Sequence, residues 1–287
     1  MSAIFKKEFK GYFNSMTGYV FIAFLIIAYG IFMSAYNLIM GNPYVEQALK
    51  SMDFIFLITI PLLTMNSLAL ERKNKTDQLL LTTPVKVSEI VAGKFFAMLA
   101  VLAIPIALIA VYPLILTSFG EINLGTAYGT LFSFFLLGGA LISIGMFVSS
   151  STESSVISAV ATIGILVVIY FMDAITQMIP DTAAASAIGL IVLAAALALI
   201  IYSLTKNFTV SAIALVVLCG AVLAIFFVDS SLLAGVIQKV LGKLALFNGV
   251  DTFAEGKIDL SAVVYYLSVM FLFGFLTVRS IDKRRWN

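Results

Sequence analysis

The segment between positions 71 and 94 holds the charged and polar residues of the chain that are best suited to a specific interaction. This segment, ERKNKTDQLLLTTPVKVSEIVAGK, separates two strongly apolar stretches and carries five basic residues, Arg72, Lys73, Lys75, Lys86 and Lys94. It also holds a run of three leucines followed by a proline. Charged groups around an apolar cluster suit reversible binding of another protein rather than the making of bonds. The segment is therefore predicted to be a docking element on the cytoplasmic face of a membrane protein.

Covalent catalysis is disfavoured by residues that the chain lacks. The sequence has no histidine, the usual base of hydrolytic triads and a common zinc ligand. It has no G-x-x-x-x-G-K-[ST] phosphate-binding loop, since Gly93-Lys94 is followed by Phe95. An intramembrane aspartyl protease would need two facing aspartates at bilayer depth, whereas Asp53 and Asp173 fall near predicted helix ends. The chain is thus predicted to be no enzyme and to hold no cofactor or metal, and any energy input must come from a partner.

The composition predicts that these elements are embedded in a membrane. Of the 287 residues, 62% are hydrophobic and only 11% are charged, too few to cover a soluble globule. Because one helical crossing needs about 20 apolar residues, we expect an all-α, polytopic membrane protein with about eight crossings, or about six if residues 184–228 form a re-entrant hairpin. The candidate spans are 17–38, 53–70, 94–117, 126–149, 155–177, 184–204, 209–228 and 261–279.

The positions of the basic residues predict the orientation. Lysine and arginine in short loops are retained on the cytoplasmic side of a membrane. We therefore expect both termini, the 71–94 segment and Lys206 to be cytoplasmic, which leaves few of the 17 basic residues outside, namely Lys50, Lys239, Lys243 and Lys257.

Two further stretches have amphipathic patterns. Residues 1–16 place apolar side chains three to four positions apart with lysines on other faces, which predicts an interfacial helix that lies flat on the membrane. An ordinary positive flank that only sets orientation fits this stretch equally well. Residues 229–259 are predicted to form an external amphipathic segment that serves either as a lid over an export path or as a plain structural cover.

The 71–94 segment itself is predicted to be a helix, a kink and a second helix. Residues 75–81 can form two turns that group the three leucines on one side, and the residue before Pro84 disfavours continued helix. A second helix can start at Pro84 or at Ser88. The leucines are expected to pack either on a partner or on the ends of the protein's own helices.

With these features, the chain resembles the permease subunits of ABC-2 type ABC transporters, especially the branch of the gliding-motility and copper-processing permeases. Their pattern between the second and third spans is E-[RK]-x-x-G-T-x-x-L-L-L-T-x-P-V-x-x-x-E-I-V-x-G-K. The sequence departs from it at Lys75, where the family usually has glycine. Similarity extends to the N-terminal helix, to residues 147–160 and to the KRRW end at 283–286. The matching residues are Glu71, Arg72, Thr76, Leu79, Leu80, Leu81, Thr82, Pro84, Val85, Glu89, Ile90, Val91, Gly93 and Lys94.

This resemblance implies a single ABC-2 type transmembrane domain over residues 1–287, in the cytoplasmic membrane of a bacterium or archaeon. It implies an exporter subunit whose partners are a cytosolic ABC ATPase that binds ATP and Mg²⁺, a second permease copy or paralogue, and the lipid bilayer, but no nucleic acid. An alternative is a membrane anchor that transmits ATPase-driven force to an extracytoplasmic partner. The implied ATPase-coupling residues are Glu71, Arg72, Thr76, Asp77, Leu79, Leu80, Leu81 and Pro84.

Overall fold

The computed structural model describes residues 1–76, 85–118, 120–205, 207–228, 230–257 and 259–285, and every regular element within these ranges is helical. A π-helix, Ser34–Ile39, continues the second helix, and short 3-10 helices cover Asp53–Ile55 and Ser230–Leu233. The α-helices are α1 (Ser2–Asn14), α2 (Thr17–Met33), α3 (Val45–Ser51), α4 (Phe56–Thr64), α5 (Ala69–Lys73), α6 (Val87–Ile109), α7 (Val111–Leu116), α8 (Leu124–Ser151), α9 (Ser155–Tyr170), α10 (Met172–Met178), α11 (Ala183–Thr205), α12 (Phe208–Val228), α13 (Val236–Gly242), α14 (Asn248–Ala254) and α15 (Leu260–Arg285). The prediction of an all-α chain is confirmed.

Within the described residues, 5 helical stretches are long and apolar enough to cross a membrane, and 6 if the bent pair α9 and α10 counts as one crossing. The five are Thr17–Ile39, Val45–Lys73, Val87–Leu116, Leu124–Ser151 and Leu260–Lys283. They agree with the predicted spans in the first two thirds of the chain and at its end. In α11 and α12 the described apolar stretches are shorter, Ala183–Ala198 and Ser211–Phe227. The expected crossing of these two helices therefore stays a prediction.

The chain divides into two compact units, and α8 forms the centre of the first, which comprises Met1–Val168 and Leu246–Asn287. In α8, 83% of the most apolar stretch is buried, and α3, α4, α6, α14 and α15 all pack on it. Small residues allow this packing. A Cβ at Gly145 would collide with the side chain of Thr64 in α4, and one at Gly138 would press on Leu102 in α6. Close helix approach at these glycines occurs inside the chain.

The second unit, Ile169–Ala245, is built on the helical hairpin of α11 and α12. The Ser211 hydroxyl in α12 donates a hydrogen bond to the Ala198 carbonyl in α11 at 2.6 Å. Helix α13 packs on α11, where Gly189 leaves room for Ile237. Residues 230–257, within the predicted external amphipathic segment, form a 3-10 turn and α13, and then α14 in the first unit, and Gly235 takes a positive φ of 71° before α13. The external location and the amphipathic role of this segment stay predictions.

Candidate functional site

The second candidate span is interrupted just before the 71–94 segment. Helix α4 ends at Thr64 and α5 begins at Ala69, so the intervening turn leaves backbone amides without helical partners. The Ser149 hydroxyl in α8 accepts hydrogen bonds from the amides of Leu68 (3.2 Å) and Ala69 (3.1 Å) and donates one to the Met65 carbonyl (3.2 Å). The Ser149 side chain thus satisfies three backbone groups of this turn. This contact fixes the direction in which α5 leaves the bundle.

Helix α1 lies across the start of α6 and contacts it closely. Ile4, Glu8 and Tyr12 are four residues apart and therefore share one face of α1. Ile4 packs over Gly93, where a Cβ would lie only 3.0 Å from the Ile4 Cγ2 atom. The Tyr12 hydroxyl donates a hydrogen bond to the Leu63 carbonyl in α4 at 3.2 Å. Burial raises the pKa of Tyr12 above its usual range, and the carboxylates of Glu8 and Glu71 raise it further, so this phenol remains a neutral donor.

A buried lysine at the centre of this contact connects α1, α5 and α6. The Lys94 ammonium nitrogen lies 3.0 Å from Glu8 Oε1, 2.9 Å from Glu71 Oε1 and 2.9 Å from the Ser67 carbonyl oxygen. An ammonium group has three N–H donors, and these three acceptors match them. Lys94 is only 2% exposed, and burial of a charge is tolerated only when the charge is paired and hydrogen-bonded.

The charges in this cluster balance. Glu8 and Glu71 are 16% and 17% exposed, and the more exposed Lys7 ammonium lies 3.5 Å from Glu8 and 3.7 Å from Glu71. Two cations thus face two carboxylates. We refer to Lys7, Glu8, Glu71 and Lys94 as the basal ion cluster, because it joins the first and last residues of the 71–94 segment.

Arg72 and Thr76 fix the first turn of the segment. The Arg72 guanidinium donates to the Ser150 carbonyl oxygen at 3.3 Å and to Glu153 Oε1 at 3.2 Å, which attaches α5 to the end of α8. The Thr76 amide and hydroxyl both donate to the Glu71 carbonyl, at 2.9 Å and 3.2 Å. Lys75 adopts a left-handed φ of 55°, the conformation that usually ends a helix at glycine. The departure from the family pattern at Lys75 therefore leaves the turn intact.

The structure brings together three of the predicted coupling residues, Glu71, Arg72 and Thr76, and all three make contacts within the chain. The second helix predicted for the segment is part of α6, which begins at Val87 and continues into the third candidate span without a break. Neither Glu8 nor Ser67 was predicted for the site. The spacing of Glu8 from Ile4 and Tyr12 was the available signal. The remaining predicted coupling residues, Asp77, Leu79, Leu80, Leu81 and Pro84, lie outside the described residues.

The chain thus has membrane-length helices and a charged segment that is ion-paired at its base. A comparison with known protein families identifies a family for it. Residues 2–189 match the family model described as ABC-2 family transporter protein, so the chain belongs to that family. It is a membrane permease component of an ABC transporter. Members of this family are the transport component of such complexes and are not themselves catalytic. No curated protein matches the sequence.

Proposed function

We propose that this chain is the permease subunit of an ATP-driven exporter and that a separate cytosolic ABC ATPase docks on the 71–94 segment. The observation that supports this proposal is the basal ion cluster, in which Lys94 and Glu71 join the two ends of the segment at 2.9 Å. A loop that is closed and ion-paired at its base moves with the helices that carry it. Displacement of the docked segment is therefore transmitted directly to α6 and, through Glu8, to α1.

The division of labour within the segment follows from these contacts. Glu71 and Arg72 are engaged by Lys94, Ser150 and Glu153, so their proposed role is to hold the segment in place. The apolar residues Leu79 and Leu80 are proposed to enter a groove on the ATPase, with Asp77 pairing at its rim. ATP and Mg²⁺ are bound by the partner, because the chain has no phosphate-binding loop.

The proposed orientation places α1, the basal ion cluster and both termini on the cytoplasmic side. The five lysines and arginines of the segment, the three lysines of α1 and the basic C-terminal end then all face the cytoplasm, as the positive-inside rule requires. Helix α1 stacks Phe5 on Phe9, with ring centroids 5.9 Å apart, and Phe9 also contacts Phe13 at 5.1 Å. An aromatic row beside lysines suits the boundary between headgroups and acyl chains. A second permease copy or paralogue completes the proposed complex.

The proposal is tested by ATP hydrolysis in reconstituted membranes. The purified chain alone should not hydrolyse ATP. With a candidate ABC ATPase from the same organism, ATP hydrolysis should be present, and simultaneous replacement of Leu79 and Leu80 by Asp should decouple that hydrolysis from the permease. Robust ATP turnover by the isolated permease, free of contaminating ATPase, would show that the assignment is wrong.

A further inference from the structure

A groove of about 760 Å³ opens in the first unit at the end away from α1. Helix α2 begins next to α1 and ends, through its π-helical continuation, at one wall of this groove. Helix α6 begins at the 71–94 segment, and α7, which follows it, forms the opposite wall. The groove and the 71–94 segment therefore lie at opposite ends of the stretch formed by α6 and α7, so binding in the groove does not depend on ATPase docking.

The lining of the groove changes from apolar to polar along its length. The apolar walls are formed by Met33, Leu38, Tyr112, Ile115 and Leu116, which belong to membrane-length helices. The polar rim comes from Asn42 and Glu121, in the connections that follow these helices. An apolar trough that ends in a polar rim at the end of a membrane span has the polarity profile of a phospholipid, whose chains lie deeper than its headgroup.

One lining residue, Asn37, has an unused hydrogen-bond acceptor. It lies on the π-helix, a conformation that often occurs at functional sites, and its side chain is 8% exposed. Its Nδ2 atom donates to the Asn42 carbonyl at 2.7 Å, which fixes the orientation of the amide. Its Oδ1 atom is buried and has no hydrogen-bond partner among the described residues. A buried acceptor left unpaired is costly, so the site favours a bound molecule that brings a donor.

The charge at the rim indicates that this donor is cationic. Glu121 is exposed and forms no ion pair with any described residue. It shares a second recess with Glu46, which is 9% exposed and likewise has no ion pair in the described part of the chain. No lysine or arginine is among the lining residues of the groove that the structure describes. The rim is thus negative, and an anionic headgroup would be repelled from it.

We propose that this groove binds a phospholipid with a primary ammonium headgroup. Such a headgroup supplies N–H donors for Asn37 Oδ1 and a positive charge for Glu121, while the acyl chains occupy the wall around Ile115 and Leu116. A quaternary ammonium headgroup carries the charge but no N–H donor. A glycerol headgroup has hydroxyl donors but leaves the net negative charge of the phosphate uncompensated.

The experiment is lipid retention by the full-length chain, measured by native mass spectrometry after purification in detergent. Dioleoyl phosphatidylethanolamine, phosphatidylcholine and phosphatidylglycerol are added in turn. We expect the ethanolamine lipid to be retained about tenfold more tightly than the other two, because a charged group forms the stronger hydrogen bonds. Glu121→Gln, an exposed change that leaves the core intact, should remove most of this preference, and Asn37→Leu should remove it as well.

Glu255→Gln is the matched control, because it removes an exposed carboxylate that pairs with Lys257 and does not line the groove. This variant should keep the preference. Soluble glycerophosphoethanolamine should not compete, since it lacks the acyl chains that the apolar wall requires. Equal retention of the three lipids, a preference that survives Glu121→Gln, or full competition by the soluble headgroup would each overturn the proposal.

Discussion

A single buried residue, Lys94 at the start of α6, contacts two parts of the chain that are distant from it in sequence, α1 and the region from Ser67 to Glu71. It joins Glu8 in α1, Ser67 in the turn after α4 and Glu71 in α5. A buried ion pair of this kind is not by itself a source of stability, but loss of one partner leaves uncompensated charge. The structural consequence of the cluster is therefore specificity: α1, α5 and the start of α6 have one arrangement in which the charges are satisfied.

Replacement of Lys94 by Gln should destabilise the folded protein by about 3 kcal/mol, because the Glu8 and Glu71 carboxylates then face each other without a buried cation. Thermal unfolding of the purified chain in detergent measures this as a decrease in Tm of several degrees. Lys86→Gln, at an exposed position just before α6, is the control and should leave Tm unchanged. Equal Tm values for wild type and Lys94→Gln would contradict the assigned role of the cluster.

The backbone of Lys75 allows a separate prediction. Its φ of 55° lies in the left-handed region, which glycine adopts without steric cost. Lys75→Gly should stabilise the turn after α5 by roughly 1 kcal/mol. The Thr76 amide, which donates to the Glu71 carbonyl, should then exchange its hydrogen about fivefold more slowly. Hydrogen–deuterium exchange of a peptide spanning 68–76 provides the measurement.

The control for this turn is Asn74→Gly, because Asn74 has an ordinary φ of −86° and gains no steric relief from glycine. Exchange in this variant should be unchanged or faster. Faster exchange in Lys75→Gly itself would show that the left-handed turn is not formed.

At the scale of helices, the sequence predicted which elements exist better than it predicted their contacts. The spacing of apolar residues identified α1 and most of the spans, because helical periodicity is a local property. The local pattern did not predict which face of α1 contacts the protein. The aromatic residues predicted contact with the membrane, whereas Ile4, Glu8 and Tyr12 pack on α6 and α4. That choice depends on Lys94 and Gly93, about ninety positions away, and no local pattern contains it.

The boundaries of two elements also depended on tertiary contacts. A second helix was predicted to start at Pro84 or Ser88 and the third span near 94, whereas one continuous helix, α6, starts at Val87. Its first two turns carry Glu89, which meets the N-terminal ammonium of α1 at 3.3 Å. The break between α4 and α5 depends on Ser149, a residue of another helix. The partner-facing residues of the segment stay predictions.

The close packing of α1 on α6 is tested at Gly93. Gly93→Leu should displace α1, because its side chain would occupy the position of Ile4. Hydrogen–deuterium exchange across residues 2–14 should then increase in the purified protein. The control is Gly11→Ala in α1 itself, where the Cβ position is surrounded by open space. This variant should leave the exchange of α1 unchanged or slow it. Unaltered protection of α1 in Gly93→Leu would contradict the observed contact.

For the whole molecule, the chain belongs to the ABC-2 family, and the proposed docking of an ATPase would account for a strongly charged segment in so apolar a sequence. The family match covers residues 2–189. It therefore includes the first unit as far as residue 168 but not residues 246–287, and it ends within the first two turns of α11. Residues on the segment, on α1 and at the C-terminal end should all lie on one side of the membrane if they contact one cytosolic partner.

Thiol labelling of intact cells tests this orientation. With Cys219 first replaced by Ser, single cysteines at Ser2 and Asn74 should be shielded from a membrane-impermeant reagent, whereas one at Lys257, which is exposed, should be labelled. The charge distribution is the physical reason. Labelling at position 74 from outside would reverse the proposed orientation.

Co-purification tests whether the 71–94 segment binds an ABC ATPase, as proposed. The permease is affinity-purified from membranes that also contain a candidate ABC ATPase from the same organism, and the bound ATPase is quantified. The leucine cluster is changed by replacing both Leu79 and Leu80 with Asp, and the control replaces two exposed leucines elsewhere, Leu232 and Leu244, with Asp. Loss of the ATPase from the first variant alone, with both variants inserted normally in the membrane, is the predicted result. Undiminished co-purification with the Leu79 and Leu80 variant would show that these leucines do not hold the ATPase.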